Sequence, residues 1–180
     1  MLTDNSLIQL FLPIINAGLI ADGFTDVITK QANQPTQQGV NSGSTVYFYK
    51  IANKRYGFLK RLDEWDSINS IMTHTETQVF ETTFQVNALV IQNPLKPTGY
   101  TASDLVNEVA SILQSDYAIT TLMASEVGIL RIQDVLNPYF VDDKDNFEAS
   151  PSFDFTLTYK QTRVTTDPVI NSFDYVIDAI

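Results

Sequence analysis

The stretch Phe80–Val90, which reads FETTFQVNALV, decides the fold. Its residues alternate between a mostly apolar set and a mostly polar set, which is typical of a β-strand with one face on a core and one face exposed. The same strand signal continues outward from Thr73 to Gln92 and is the longest in the chain. The side expected to face the core consists of Phe80, Thr82, Phe84, Val86, Ala88 and Val90.

A second strand with the same alternation lies near the C-terminal end. Phe153, Phe155, Leu157 and Tyr159 alternate with the polar residues between them, as in a half-buried strand. Two amphipathic helices are predicted to cover these apolar faces, one at Leu7–Asp22 and one at Thr101–Gln114. The second begins with Thr101 and Asp104 in the spacing of a capping box.

These elements predict an α+β fold with a mainly antiparallel sheet and helices packed on one face. Residues 1–180 are expected to form a single domain, because 180 residues fit one core. The chain between the main elements is predicted to contain a strand at Val27–Lys30, a hairpin of Thr45–Ile51 and Tyr56–Leu62 turning at Asn53, a helix at Tyr117–Ala124, a strand at Ile129–Val135, an acidic loop at Val141–Pro151, a turn at Thr166–Pro168, and a final strand around Phe173–Ile177.

The composition argues against several classes of function. The formal net charge is −10, and an acidic surface repels phosphate and anionic lipid. The absence of cysteine excludes disulfides, zinc–thiolate sites and thiol nucleophiles. The apolar stretch Leu7–Ile20 is shorter than the roughly 20 residues that span a bilayer, so it is interpreted as a buried helix and no membrane partner is expected.

Catalytic, cofactor and metal sites are not predicted. His74 is the single histidine and has no nucleophile pattern beside it, and no glycine-rich phosphate loop is present. An acidic cluster could attract calcium but lacks the glycine and glutamate positions of an EF-hand, so it is interpreted as a solvated loop. That cluster contains Asp142, Asp143, Asp145, Asn146 and Glu148.

One basic window interrupts the acidic chain and is the predicted interface. It falls on the predicted hairpin, which places Lys54 and Arg55 at its tip, and aromatic residues lie between the bases. Such a strip could contact nucleic acid or acidic surface on a neighbouring subunit, and the acidic remainder of the chain favours the protein contact. The window contains Lys50, Lys54, Arg55, Lys60 and Arg61.

The layout resembles the tail-terminator or neck-terminator proteins of tailed bacteriophages. An apolar N-terminal helix precedes a polar loop with Asn33-Gln34-Pro35-Thr36, which is similar to the family's loop, although the Gly/Ser run after it is unusual. A strand pair, a long strand, the capped helix at Thr101–Gln114 and the strand Ser152–Tyr159 follow.

The resemblance implies a virion protein of the tail or neck, assembled in the host cytoplasm, that forms a ring of usually six copies. Such a ring caps the tail tube and joins it to the head connector or stopper, with the tail sheath as a further partner. DNA passes through the channel without sequence-specific binding. The family offers no cofactor and no catalytic residues.

Two alternatives stay open from the residues alone. The chain could be a different phage neck or baseplate adaptor. It could also be a hydrolase with a carboxylate pair, which would require two acids that converge in a deep pocket.

Overall fold

The computed structural model describes residues 2–32, 43–90, 99–141 and 147–168. Five strands form one sheet in the order β1-β2-β3-β7-β4, and two short strands, β5 and β6, pair separately. All neighbours are antiparallel except β1 and β2, so the predicted α+β fold is confirmed. The elements are α1 (Asp4–Ala21), β1 (Ile28–Gln31), β2 (Thr45–Asp66), β3 (Ile71–Leu89), α2 (Ala102–Gln114), α3 (Asp116–Met123), β4 (Val127–Ile132), β5 (Tyr139–Val141), β6 (Phe147–Ala149) and β7 (Ser152–Pro168).

Phe11 of α1 lies at the centre of the core. Its ring makes edge-to-face contacts with Phe48 of β2, Phe84 of β3 and Phe155 of β7, at centroid distances of 5.3, 5.1 and 5.2 Å. All four side chains are fully or almost fully buried. Aromatic pairs in this arrangement contribute roughly 0.5–1.5 kcal/mol each beyond their buried area. One side chain therefore holds the first helix against three neighbouring strands.

Helix α2 packs beside α1 on the same face of the sheet. Its start is fixed by the predicted capping box, in which the Thr101 hydroxyl accepts from the Asp104 N–H and the Asp104 carboxylate accepts from the Thr101 N–H. The helices approach closely at Gly18, where an added Cβ would lie 2.6 Å from the side chain of Ile112. A glycine is therefore needed at this crossing, because any side chain would push the two helices apart.

The alternation of apolar and polar residues in the sequence matches the alternation of buried and partly exposed side chains in β3 and β7. Thr82, Phe84, Val86 and Ala88 of β3 are buried, as are the four predicted positions of β7, while the residues between them are partly exposed. Strands β1 and β4 and helix α3 lie within a few residues of their predicted positions.

The predicted hairpin within residues 45–62 is wrong. Residues 45–66 form one long strand, β2, in which Asn53 pairs with Thr82 instead of turning. The turn follows at residues 67–70 and leads into β3. Lys54 and Arg55 therefore lie in the middle of a strand and not at a hairpin tip.

Two β-bulges in β2 explain why the sequence suggested a turn. The register with β3 shifts between Lys50 and Ala52 and again between Tyr56 and Lys60. Gly57, in the second bulge, has a φ of 70°, a left-handed conformation that favours glycine. The bulges accommodate residues that would ordinarily end a strand, and the pairing resumes beyond them.

The predicted turn at Thr166–Pro168 is also wrong, because β7 continues through these residues and Pro168 pairs with Ile71. Proline is tolerated there because no described strand pairs with the outer side of β7 beyond Tyr159, which makes this part of β7 an edge. The loop predicted for Val141–Pro151 contains paired strands at both ends, β5 and β6. The predicted strand at Phe173–Ile177 lies outside the described residues, and the single-domain prediction stays a prediction.

One described helix, α1, is long and apolar enough to cross a membrane by length and composition alone. Leu7, Phe11, Ile14 and Ile15 of this helix are buried against the sheet and α2, which is the placement of a core helix.

The packing of α2 can be tested with Val109, which is fully buried in the core. We expect Val109→Asp to destabilise the fold by several kcal/mol, because a buried carboxylate without a partner is strongly unfavourable. Thermal unfolding and solubility measure the effect. Ser111→Asp on the exposed side of the same helix is the matched control and should change stability little. Unchanged stability and solubility of Val109→Asp would contradict the described packing.

Candidate interaction surface

The outer halves of three strands form an extension that we call the arm. It consists of β2 residues 51–66, the turn 67–70, β3 residues 71–80 and β7 residues 160–168. Both neighbours pair with β3 along its length, so backbone groups in the middle strand are satisfied within the ladder. Asp66 fixes the turn by accepting hydrogen bonds from the N–H groups of Ile68 and Asn69, and hydrogen bonds led by the Asn69 side chain lower the pKa of Asp66.

The arm lacks the apolar layer that covers the rest of the sheet. Beyond Phe80, the positions of β3 on the helix side are Gln78, Glu76 and His74, so no helix can pack there as it does on the body. Eight apolar side chains are nevertheless exposed along the arm, and Phe58 is fully exposed. They are Ile51, Tyr56, Phe58, Leu59, Leu62, Trp65, Ile68 and Val164. Exposed apolar side chains concentrated in this way are typical of a protein-binding surface.

The five bases of the predicted interface divide between the two faces of the sheet. Arg55 lies on the helix side, because it pairs with Phe80 and its guanidinium is 5.9 Å from the Phe80 ring centroid. Arg61 lies on the same face and is 3.2 Å from Glu76. Lys50 lies at the body and forms a 2.5 Å ion pair with Asp4 of α1.

The two remaining bases face the other side. Lys54 pairs in register with Glu81 and Lys60 with Thr77, both on the face of β3 that points away from the helices. Neither lysine has a salt bridge to a described residue, and both are exposed. The basic window is therefore not one continuous patch.

The arm carries bases that sequence reasoning missed. Lys160 and Arg163 belong to its β7 edge, and they were not assigned to the surface because the strand was expected to end earlier. Six of the 11 Lys and Arg residues and five of the 21 acids lie in the arm, and the described residues outside it carry 11 acids and three bases. The chain thus has a near-neutral arm with a basic middle and a strongly acidic body.

An open groove of about 610 Å³ runs along the helix side of the arm. Phe80 and Leu59 give it an apolar floor and side, and Arg55 and Arg163 line it from β2 and β7. Such a groove suits an apolar or acidic segment of a partner better than a small substrate, because it is shallow and lacks converging catalytic groups.

His74 lies in a charged row across the arm. Its Nδ1 is 2.7 Å from Asp63 Oδ1 on β2, and its Nε2 is 3.2 Å from Asp167 Oδ2 on β7. The hydrogen bond to Asp63, supported by the charges of both aspartates, raises the pKa of His74 against a smaller opposing effect of burial. Both ring nitrogens contact aspartates, so neither is left to activate a nucleophile, and the row connects three strands.

The described residues bring one pair of acids together, Asp22 after α1 and Glu108 on α2. Burial, followed by a hydrogen bond to Asp22 and the charge of Asp22, raises the pKa of Glu108. Neither residue lines the groove on the arm or the two grooves beside α3. The pair therefore does not provide the deep acidic pocket that a hydrolase requires.

A second apolar surface, which we call the α3/β4 patch, lies at the opposite edge of the sheet from β2. It contains Ile119 and Met123 of α3 and Leu130 of β4, exposed by 41%, 64% and 54%. Leu130 lies where the register between β4 and β7 shifts, so it projects from an edge strand. Two open grooves meet at this patch, and both are lined by Met123 and Gly128.

Of the predicted acidic cluster, Glu148 lies on β6 and the other four residues lie outside the described residues. Those four are Asp142, Asp143, Asp145 and Asn146. Within the described ranges, no group of three histidine or acidic side chains is arranged to hold a metal ion.

A family model described as E217 gateway protein gp29 matches residues 6–169. The chain belongs to this family. It is a family of phage head–tail gateway proteins, so the predicted resemblance is confirmed at the level of phage neck and tail-joining proteins. Membership supports a structural, non-enzymatic role in head–tail joining and a location at the head–tail region of the virion. Among curated proteins, no match was found.

In this gateway-family protein, we expect the His74 row to stabilise the arm in a pH-dependent way. A pKa raised in the folded state above the ordinary value of 6.5 gives stability that is complete below that value and is lost as the pH rises through the folded-state pKa. The unfolding midpoints of the native protein and His74→Ala should therefore differ most below pH 6.5 and approach each other as the pH rises through the folded-state pKa of His74.

Asp63→Asn is the control for this pH effect, because it removes the strongest partner of His74. In a chain that carries Asp63→Asn, His74→Ala should change the unfolding midpoint less than it does in the native protein. A constant difference across the pH range would contradict protonation of His74 as its cause. His74→Ala should leave phage infectivity unchanged, and lost infectivity with normal assembly would contradict a purely structural role.

Proposed function

We propose that this protein forms a closed ring at the head–tail junction, most simply of six copies, that caps the tail tube and joins it to the head connector or stopper. The arm carries the proposal: it is a sheet extension that no described helix covers, and it exposes eight apolar side chains, among them the fully exposed Phe58. A ring supplies neighbours for such a surface, and an isolated subunit does not.

The proposed partners follow from the same surface and from family membership. The first is another copy of the chain, and the others are the tail-tube protein, the connector or stopper, and the sheath where the tail has one. DNA would pass through the channel without sequence-specific binding, since an acidic body repels phosphate. Assembly would take place in the host cytoplasm.

Images of intact particles test the position and copy number. We expect this subunit at the head–tail junction with rotational symmetry, in a single ring around the channel. A position elsewhere in the particle, or a single copy per particle, would overturn the proposal.

The basic middle of the arm is proposed to meet acidic surface on a neighbouring protein. Lys54 and Lys60 are the most informative pair, because both are exposed, share one face and have no salt bridge among the described residues. We expect Lys54→Glu with Lys60→Glu to reduce head–tail joining at low salt and to recover partly at high salt, since screening weakens the new repulsion.

Lys50→Gln is the comparison for this charge reversal, because it removes an internal ion pair with Asp4 and leaves the outer face of the arm unchanged. It should lower stability slightly without a salt-dependent loss of joining. If the double reversal leaves joining intact and instead impairs retention of packaged DNA, the window faces nucleic acid.

A further inference from the structure

We infer that neighbouring copies in the ring meet head to tail, with the β2 edge of the arm on one copy against the α3/β4 patch on the next. This contact rests on the proposed function, because it requires more than one copy. Because the contact joins two different surfaces, it has a direction around the ring.

The two surfaces lie at opposite sides of the sheet. In the order β1-β2-β3-β7-β4, β1 covers the outer side of β2 only at Thr45–Phe48, and among the described residues no strand pairs with that side beyond Phe48. Strand β4 closes the other side of the sheet and pairs only with β7. Each copy therefore presents two different edges that point in opposite directions.

Each edge carries an apolar projection at a bulge. On β2, the bulge between Tyr56 and Lys60 exposes Phe58 completely and Leu59 by 41%. On β4, the bulge between Ile129 and Arg131 exposes Leu130 beside Met123 of α3. The grooves around Met123 provide concave apolar surface of the kind that an exposed aromatic ring can fill.

The charges of the two edges are complementary. Between residues 51 and 61, β2 carries four bases and no acid, and two of these bases, Lys54 and Lys60, have no salt bridge to a described residue. Residues 115–136, which include α3 and β4, carry three acids, Asp116, Glu126 and Asp134, against one base, Arg131. All three acids are exposed.

Contact between two like edges would not have this complementarity. Two β2 edges would bring the bases around Lys54 and Lys60 of both copies together, which is unfavourable for exposed like charges. A contact between unlike edges leaves one free edge of each kind on every pair of copies. Repetition of that contact closes into a ring when the rotation per copy is correct.

Engineered thiols test the contact directly, because the chain contains no cysteine of its own. Phe58→Cys with Met123→Cys places one thiol at the centre of each surface. The variant, as full chain, is supplied to phage that lack the native gene, and the assembled particles are treated with a short bis-maleimide and separated on a denaturing gel. We expect a ladder of covalent oligomers that ends at the number of copies in the ring.

Three comparisons make the outcome decisive. Each single variant should stay monomeric on the gel, and Phe58→Cys with Ala17→Cys, which places the second thiol on the exposed side of α1, should give no ladder. Dimers from Phe58→Cys alone would overturn the inference in favour of a contact between two arms. No ladder from the double variant, in particles whose images show a ring, would overturn the contact and leave the proposed function standing.

If the thiol variants do not assemble, an exchange of charges across the contact provides a second test. Lys60→Glu should lower the yield of infective particles about tenfold, as expected for a close interfacial charge, and Glu126→Lys in the same chain should restore most of it. Restoration by Glu126→Lys but not by Glu76→Lys, which lies within the arm, would support the contact. Equal restoration by both, or by neither, would overturn it.

Discussion

The fold depends on the contact of Phe11 with three strands. Without it, the apolar faces of β2, β3 and β7 would lack their central cover, although Leu7, Ile14 and Ile15 of α1 would remain apolar contacts of the helix with the core. Edge-to-face packing around one ring fixes both the position of the helix along the strands and the relative register of the rings at Phe48, Phe84 and Phe155. The close crossing at Gly18 then determines how near α2 can lie.

The arm exists because a sheet satisfies its backbone without needing a core. Hydrogen bonds between neighbouring strands continue past the last apolar pair on the helix side, Phe80 and Tyr159, to the turn at residues 67–70. The apolar side chains of the arm are not covered in this way. On the helix side of β3 the residues beyond Phe80 are polar, and no described helix packs on them. Among the described residues, the middle strand of the arm is therefore fully paired, whereas the outer sides of β2 and β7 and several apolar side chains are left open. This combination favours association with another protein.

The distribution of charge also differs between the arm and the rest of the described chain. Bases concentrate in the middle of the arm, whereas the helices and the β4 side are acidic, so the long-range field of one subunit can orient the next before contact. The titratable groups that the fold brings together have structural explanations. His74 links three strands through Asp63 and Asp167, and Glu108 forms a hydrogen bond with Asp22 between two helices, away from the grooves described.

The sequence by itself determined the α+β class, the buried faces of Phe80–Val90 and Phe153–Tyr159, and the capped helix at Ala102–Gln114, because these depend on local periodicity and capping. It also marked Lys50, Lys54, Arg55, Lys60 and Arg61 as unusual. Only the tertiary structure decided that Asn53 and Thr166 lie within strands, because pairing with β3 overrides local turn preference when bulges absorb the mismatch. It likewise separated the five bases onto two faces and added Lys160 and Arg163, since the face of a strand residue depends on a register that the sequence does not state.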